Sequence, residues 1–242
     1  SQPEPEGKSP YTSLAKKHKV KIDFRPFMHV SEITAMEFKE QKISILNHDA
    51  VIFTSKNAMD HYFGMMEKLR LRIPDFIKYF GVSEVIAHYL QNFITYRKRK
   101  IFTGEQSLAS LIPVMQKHKD SKFIFPCSDL LKNKKNIALE ESGLNYTKAQ
   151  MYKVCCSDLS DLSDVKYDIL VFFSPTGIKS LPENFPEFEQ NDTRLAVFGP
   201  TTVKAVEDNG LRIDIEAPSK KAPSMLMALD KYIKVANKRV RK

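Results

Sequence analysis

Apolar residues along this chain fall into two spacings. Compact runs such as DAVIFTS (49–55), KFIFP (122–126), DILVFFS (168–174) and RLAVFG (194–199) read as buried strands. Between them, apolar positions recur three and four residues apart. Ala58, Met59, Tyr62, Phe63, Met66 and Leu69 mark one helical face. Val85, Ile86, Tyr89, Leu90 and Phe93 mark a second, and Leu108, Leu111, Ile112 and Met115 a third. The shorter runs VKIDF (20–24), YFGV (79–82), KIFTG (100–104) and LRIDIEA (211–217) add strands, and the alternating YTKAQMYKVCC (146–156) reads as one long extended strand. Further helices are expected over 9–18, up to about Ser142 with Gly143 closing it, after Thr201 with Gly210 closing it, and from about Pro223 into the tail.

Strands that alternate with helices in this way predict βαβ units and parallel sheets, an α/β fold. The pattern also repeats. VIFTSKNAMDHYF (51–63) has the shape of VFFSPTGIKSL (171–181), and KYFGVSEVIAHYL, from Lys78, that of LAVFGPTTVKAVEDNGL, from Leu195. Phe53 and Phe173 are 120 positions apart, and Gly81 and Gly199 are 118 apart. Two copies at nearly one offset predict two similar lobes and not a solenoid, which needs more repeats.

In parallel sheets ligands gather beyond the carboxyl ends of the strands, where the next helix presents unpaired N–H groups and the positive end of its dipole. Four turns fall there: Ser55-Lys56-Asn57, Gly81 with Ser83, Ser174-Pro175-Thr176-Gly177, and Gly199-Pro200-Thr201-Thr202. One reading makes these serines and threonines simple helix caps. The other lets the four turns, in two matched sets, line an anion-binding cleft between the lobes.

Composition narrows the choice of partner. The 242 residues are 42% hydrophobic and 28% charged, an ordinary globular balance with room for one or two domains. No apolar run approaches the roughly 18 residues of a membrane span, and no signal-peptide core stands near Ser1, so a cytoplasmic protein is expected. Cys127, Cys155 and Cys156 make a poor disulfide framework and lack metal-ligand spacing; they are expected to be reduced thiols. The six histidines are scattered, and neither a Walker loop nor GxGxxG occurs, so neither a metal nor a nucleotide cofactor is implied. The net charge is +9, partly from YRKRK (96–100) and the tail KVANKRVRK (234–242), which suits a nucleic acid, an anionic surface or a small polyanion. Nucleic acid would need aromatics interleaved with the basic residues, whereas the aromatics here sit in core-like positions.

The marks IFTSKNAM (52–59), FIFPCSDLLKNKKNIAL (123–139), MYKV (151–154), VFFSPTGIKSL (171–181), VFGPTTVKAV (197–206) and EAPSKKAPSML (216–226) follow one another over nearly the whole chain. In this order they resemble the uroporphyrinogen-III synthase family. That resemblance implies two α/β lobes joined by a two-stranded antiparallel connector. One lobe would hold 1–27 plus 157–242 and the other 34–149, with connector strands at 28–33 and 150–156. It implies a monomer that cyclises hydroxymethylbilane, an open tetrapyrrole with eight carboxylates, to uroporphyrinogen III with inversion of the last ring and without a cofactor. The turn residues Ser55, Lys56, Asn57, Gly81, Ser83, Ser174, Pro175, Thr176, Gly177, Gly199, Pro200, Thr201 and Thr202 would then bind substrate. Tyr152, at the family's connector tyrosine, would hydrogen-bond or protonate the departing hydroxyl. A relative that binds a tetrapyrrole or another anion without turning it over is the alternative. Two features depart from the family pattern: the family's opening strand is lacking in SQPEPEGKSPY, and Glu84 stands near the usual threonine of its turn. Beside a polyacid, Glu84 is expected to point away.

Overall fold

The computed structural model describes residues 1–132 and 136–240. In chain order the elements are α1 (Pro10–His18), β1 (Met28–Glu32), α2 (Ala35–Glu40), β2 (Ala50–Phe53), α3 (Lys56–Lys68), β3 (Lys78–Gly81) and α4 (Glu84–Tyr89). They continue with β4 (Ile101–Thr103), α5 (Leu108–Gln116), β5 (Phe123–Ser128), α6 (Asp129–Lys132), α7 (Ile137–Glu141) and β6 (Tyr146–Cys156). Last come β7 (Ile169–Phe172), α8 (Pro175–Asn184), β8 (Arg194–Phe198), α9 (Pro200–Asp208), β9 (Ile215–Ala217) and α10 (Met225–Val240). The chain divides into two compact units, Ser1–His29 with Cys155–Lys242, and Val30–Val154. It passes from one to the other in β1 and again in β6, which are neighbours in one sheet.

That sheet has six strands in the order β1-β6-β5-β2-β3-β4, and the pairings from β6 to β4 are all parallel. The second sheet has three parallel strands, β7-β8-β9. The repeated sequence pattern lies on β2-α3-β3-α4-β4 and on β7-α8-β8-α9-β9, two runs with the same strand order. They differ at one edge: β2 is also paired with β5, whereas β7 has no second neighbour among the described strands.

This open edge bears on VKIDF (20–24), where the sequence pattern predicts a strand. Val20 N–H instead donates to Ala15 C=O and closes α1, and residues 20–24 join no sheet. An extended segment stays a strand only where a neighbour completes its hydrogen bonds. LRIDIEA (211–217) is a strand only from Ile215, because Leu211 N–H caps α9 at Val206 C=O and Arg212 N–H donates to the Gln190 side chain. The helix expected up to Ser142 falls into α6 and α7, with residues 133–135 outside the description.

Each unit has its own apolar clusters. In Val30–Val154, α3 lays Ala58, Met59, Tyr62, Phe63 and Met66 on one sheet face with Val51, Phe53 and Ile124, while Leu111 and Met115 of α5 meet Ile52, Phe80, Phe123 and Phe125 on the other. In the other unit, α8 and α9 cover one face through Ile178, Leu181 and Val206, and α1 and α10 cover the opposite face through Leu14, Met225 and Leu229. Strands buried on both faces explain the near-continuous apolar runs in the sequence.

Candidate functional site

In the unit Val30–Val154, Ser55 is the N-cap of α3: its backbone is extended (φ −154°, ψ 161°) and its Oγ accepts from Ala58 N–H at 3.1 Å. Lys56 and Asn57, the first two helical residues, are exposed. The Lys56 ammonium lies 5.0 Å from the centre of the Tyr89 ring, whose hydroxyl donates to Asp60 at 2.8 Å.

Tyr152 reaches the same place from β6. The register between β5 and β6 shifts beside it, so that Cys127 pairs with Gln150 but Ser128 pairs with Tyr152. This bulge breaks the alternation of the strand. Met151 and Tyr152, neighbours in sequence, both enter the cluster covered by α3. Tyr152 is 8% exposed, and the Ser55 side chain acts on its phenol. Burial pushes its phenol above the ordinary tyrosine value; the Ser55 hydrogen bond pulls the other way, and Cys127 and Asp129 add to the rise.

His61 of α3 lies flat on the Tyr152 ring, with centroids 4.9 Å apart and planes 24° apart. The scattered histidines of the sequence gave no sign of it. A position three residues after the buried Ala58, on the rim of the helical stripe, is the only trace it leaves.

The second turn of this unit is less suited to an anion. Ser83 caps α4 by accepting from Ile86 N–H at 3.4 Å, but α4 has only six residues and its first is the exposed Glu84. That carboxylate already lies at the positive end of the helix. Gly81 is buried in β3, where an added Cβ would stand 3.2 Å from Ala87 N, so the close packing of α4 accounts for this glycine.

In the other unit, Ser174 caps α8: its Oγ accepts from Gly177 N–H at 3.3 Å and lies 3.0 Å from Thr176 Oγ1. Pro175, at the first helical position, has no N–H to satisfy. Gly177 is buried against Phe172 and Ser1, where an added Cβ would stand 3.3 and 3.4 Å from their nearest atoms. The fourth turn is built differently. Gly199 has φ +86° and ψ 152°, a region essentially closed to side chains, and α9 has no side-chain cap. Thr202 follows it inside the first turn. It is 1% exposed, and its Oγ1 has no hydrogen-bond partner among the described residues. Of the four turns this one leaves a polar group unanswered.

The turns thus come in adjacent pairs, at the ends of β2 and β3 in one unit and of β7 and β8 in the other. Among the described residues no three His, Cys, Asp or Glu side chains gather as metal ligands, and no helix is long and apolar enough to cross a membrane. A cavity of about 860 Å³ lies along β7, lined by Tyr11, Phe24, Phe27, Val171 and Tyr232 among others, and includes none of the four turns. Ser1 enters it, and its backbone N donates to Val171 C=O at 2.7 Å. This cavity follows the open strand edge, so we assign it no substrate.

The two units share one design, parallel strands that end in hydroxyl-rich turns at the start of the next helix. The family model described as uroporphyrinogen-III synthase HemD matches residues 9–227. The chain belongs to the uroporphyrinogen-III synthase family, and it is a cyclising lyase of tetrapyrrole biosynthesis. Solved structures show the same fold. A mutant uroporphyrinogen III synthase of the extremely thermophilic bacterium Thermus thermophilus, 14% identical, superposes with a TM-score of 0.53 over 94% of each chain. The uroporphyrinogen-III synthetase of Helicobacter pylori 26695, 20% identical, reaches 0.54 over 86% of this chain and 91% of its own. A search of curated proteins gave no match.

Proposed function

We propose that the chain closes hydroxymethylbilane to uroporphyrinogen III, with Tyr152 as the proton donor and the strand-end turns as the binding sites for substrate carboxylates. The observation that carries this reading is the Tyr152 phenol, buried under α3 with the Ser55 cap at the carboxyl end of β2 acting on it.

Tyr152 passes its proton to the hydroxyl of the terminal hydroxymethyl group, which leaves as water. The azafulvenium cation left behind is attacked by a substituted pyrrole carbon, giving a spiro centre that fragments and recloses with the last ring inverted. A proton is lost when the final pyrrole regains aromaticity, and this proton balances the one Tyr152 gave. The pyrroles supply the electrons, so the reaction needs no cofactor. Positioning does the rest: the carboxylates must be held so that direct closure without inversion is slower. The uncapped start of α9, with Thr202 Oγ1 unpaired, and the Ser174–Gly177 turn suit carboxylates in one unit; Ser55, Lys56 and Asn57 suit them in the other. Gly81 and Ser83 serve the packing and capping of α4. We assign the protein to the cytoplasm, where Cys127, Cys155 and Cys156 as thiols fit the reducing surroundings, and read it as a monomer acting without nucleic acid.

The test is to supply freshly made hydroxymethylbilane and separate the product isomers. Mainly type III product is expected, and Tyr152→Phe should slow its formation at least several-fold. Type I product alone from folded protein would leave a binding protein in place of an enzyme. An unchanged rate in Tyr152→Phe would remove that residue from the mechanism.

A further inference from the structure

Helix α3 meets Tyr152 at two points. Ser55, at its cap, acts on the phenol, and His61, further along the helix, covers the ring face. A tyrosine held only by its hydroxyl can still swing its ring, and a ring held only by stacking can still slide. Two contacts from one rigid element fix both. We propose that His61 is a positioning residue for Tyr152: its imidazole, stacked on the phenol ring, holds the hydroxyl in the geometry from which it donates its proton. The proposal rests on the reading of Tyr152 as the proton donor.

The surroundings of His61 fit a neutral ring. Burial lowers its pKa below the ordinary histidine value, and Lys68 of the same helix acts in the same sense. Glu32 of β1 and Asp60 of α3 oppose this, and Glu32 is engaged by Lys68 at 2.5 Å. The phenol itself faces Cys127 and Asp129. A neutral imidazole stacks on the phenol without drawing it toward tyrosinate, as an imidazolium would. His61 thus orients the donor and takes no proton itself.

The test compares Tyr152→Phe, His61→Ala, His61→Phe and the double variant His61→Ala with Tyr152→Phe. For each, type III formation gives kcat and KM, and carbon-13-labelled tyrosine gives the Tyr152 ring resonance, assigned by its loss in Tyr152→Phe. His61→Ala should lower kcat about three- to tenfold, the rate equivalent of losing one aromatic pair, with KM little changed. His61→Phe, which keeps a flat ring, should recover most of that loss. The double variant should be no slower than Tyr152→Phe alone, as for two residues acting through one group. The Tyr152 resonance should shift in His61→Ala and stay near its wild-type position in His61→Phe. A slow Tyr152→Phe beside a His61→Ala at the wild-type rate overturns the proposal and leaves the proton donor standing. A wild-type rate in Tyr152→Phe overturns the proton donor, and the resonance then decides on His61 by itself. An unmoved resonance in His61→Ala sinks the positioning role in either case.

Discussion

Thr202 holds a hydroxyl that is buried without a partner. Such a group forfeits its water hydrogen bonds, at a cost of about 1–3 kcal/mol. Thr202→Val keeps the shape and removes the hydroxyl. In the free protein it should raise stability by about 1 kcal/mol, read as a higher urea midpoint with an unchanged slope. If the hydroxyl answers a substrate carboxylate, the same change should raise KM. A less stable variant would contradict the unpaired hydroxyl, and an unchanged KM would contradict its binding role. FGPTT points to this turn in the sequence, but which of its groups lacks a partner depends on packing that no local pattern encodes.

Helix α3 carries the site in its unit, and its cap has two duties that substitution can separate. Ser55 satisfies Ala58 N–H, and its side chain also acts on the Tyr152 phenol. Ser55→Ala should cost about 1 kcal/mol of stability, the usual loss for a missing cap, and should lower kcat as well. Ser55→Asp restores a good cap and favours the helix dipole, so stability should return in a chemical denaturation curve. Its fixed charge would repel the polycarboxylate, so KM should stay raised. Recovery of both would reduce Ser55 to a cap. The cap and the helix were legible in FTSKN and the apolar spacing that follows. The stack of His61 on Tyr152 was not. Alternation in YTKAQMYKVCC sends Met151 and Tyr152 to opposite faces, and only the bulge opposite Cys127 and Ser128 brings both under α3. VKIDF was misread for a related reason: its strand-like residues lack a partner strand, and strand formation is a property of the pair.

At the scale of the whole molecule, the repeat of 120 residues was legible because each copy is a complete βαβ run with its own turns. The packing follows the same division. Every residue of each hydrophobic cluster belongs to one unit: Phe80 and Leu111 share theirs only with Val30–Val154, and Leu195 and Val206 share theirs only with the unit formed by the two ends of the chain. Cooperativity comes from shared burial, so two separate sets of cores predict two unfolding transitions. Phe80 is fully buried, with the Phe102 and Phe123 rings 4.9 and 5.1 Å away, and Phe80→Ala should lower one transition by about 3–5 kcal/mol. Leu195, fully buried in β8, should lower the other by about 2–5 kcal/mol when changed to Ala. Calorimetry of the two variants beside the parent distinguishes the outcomes. Each substitution should move its own transition and leave the other in place, whereas one transition displaced alike by both would mean that the cores melt as a single unit.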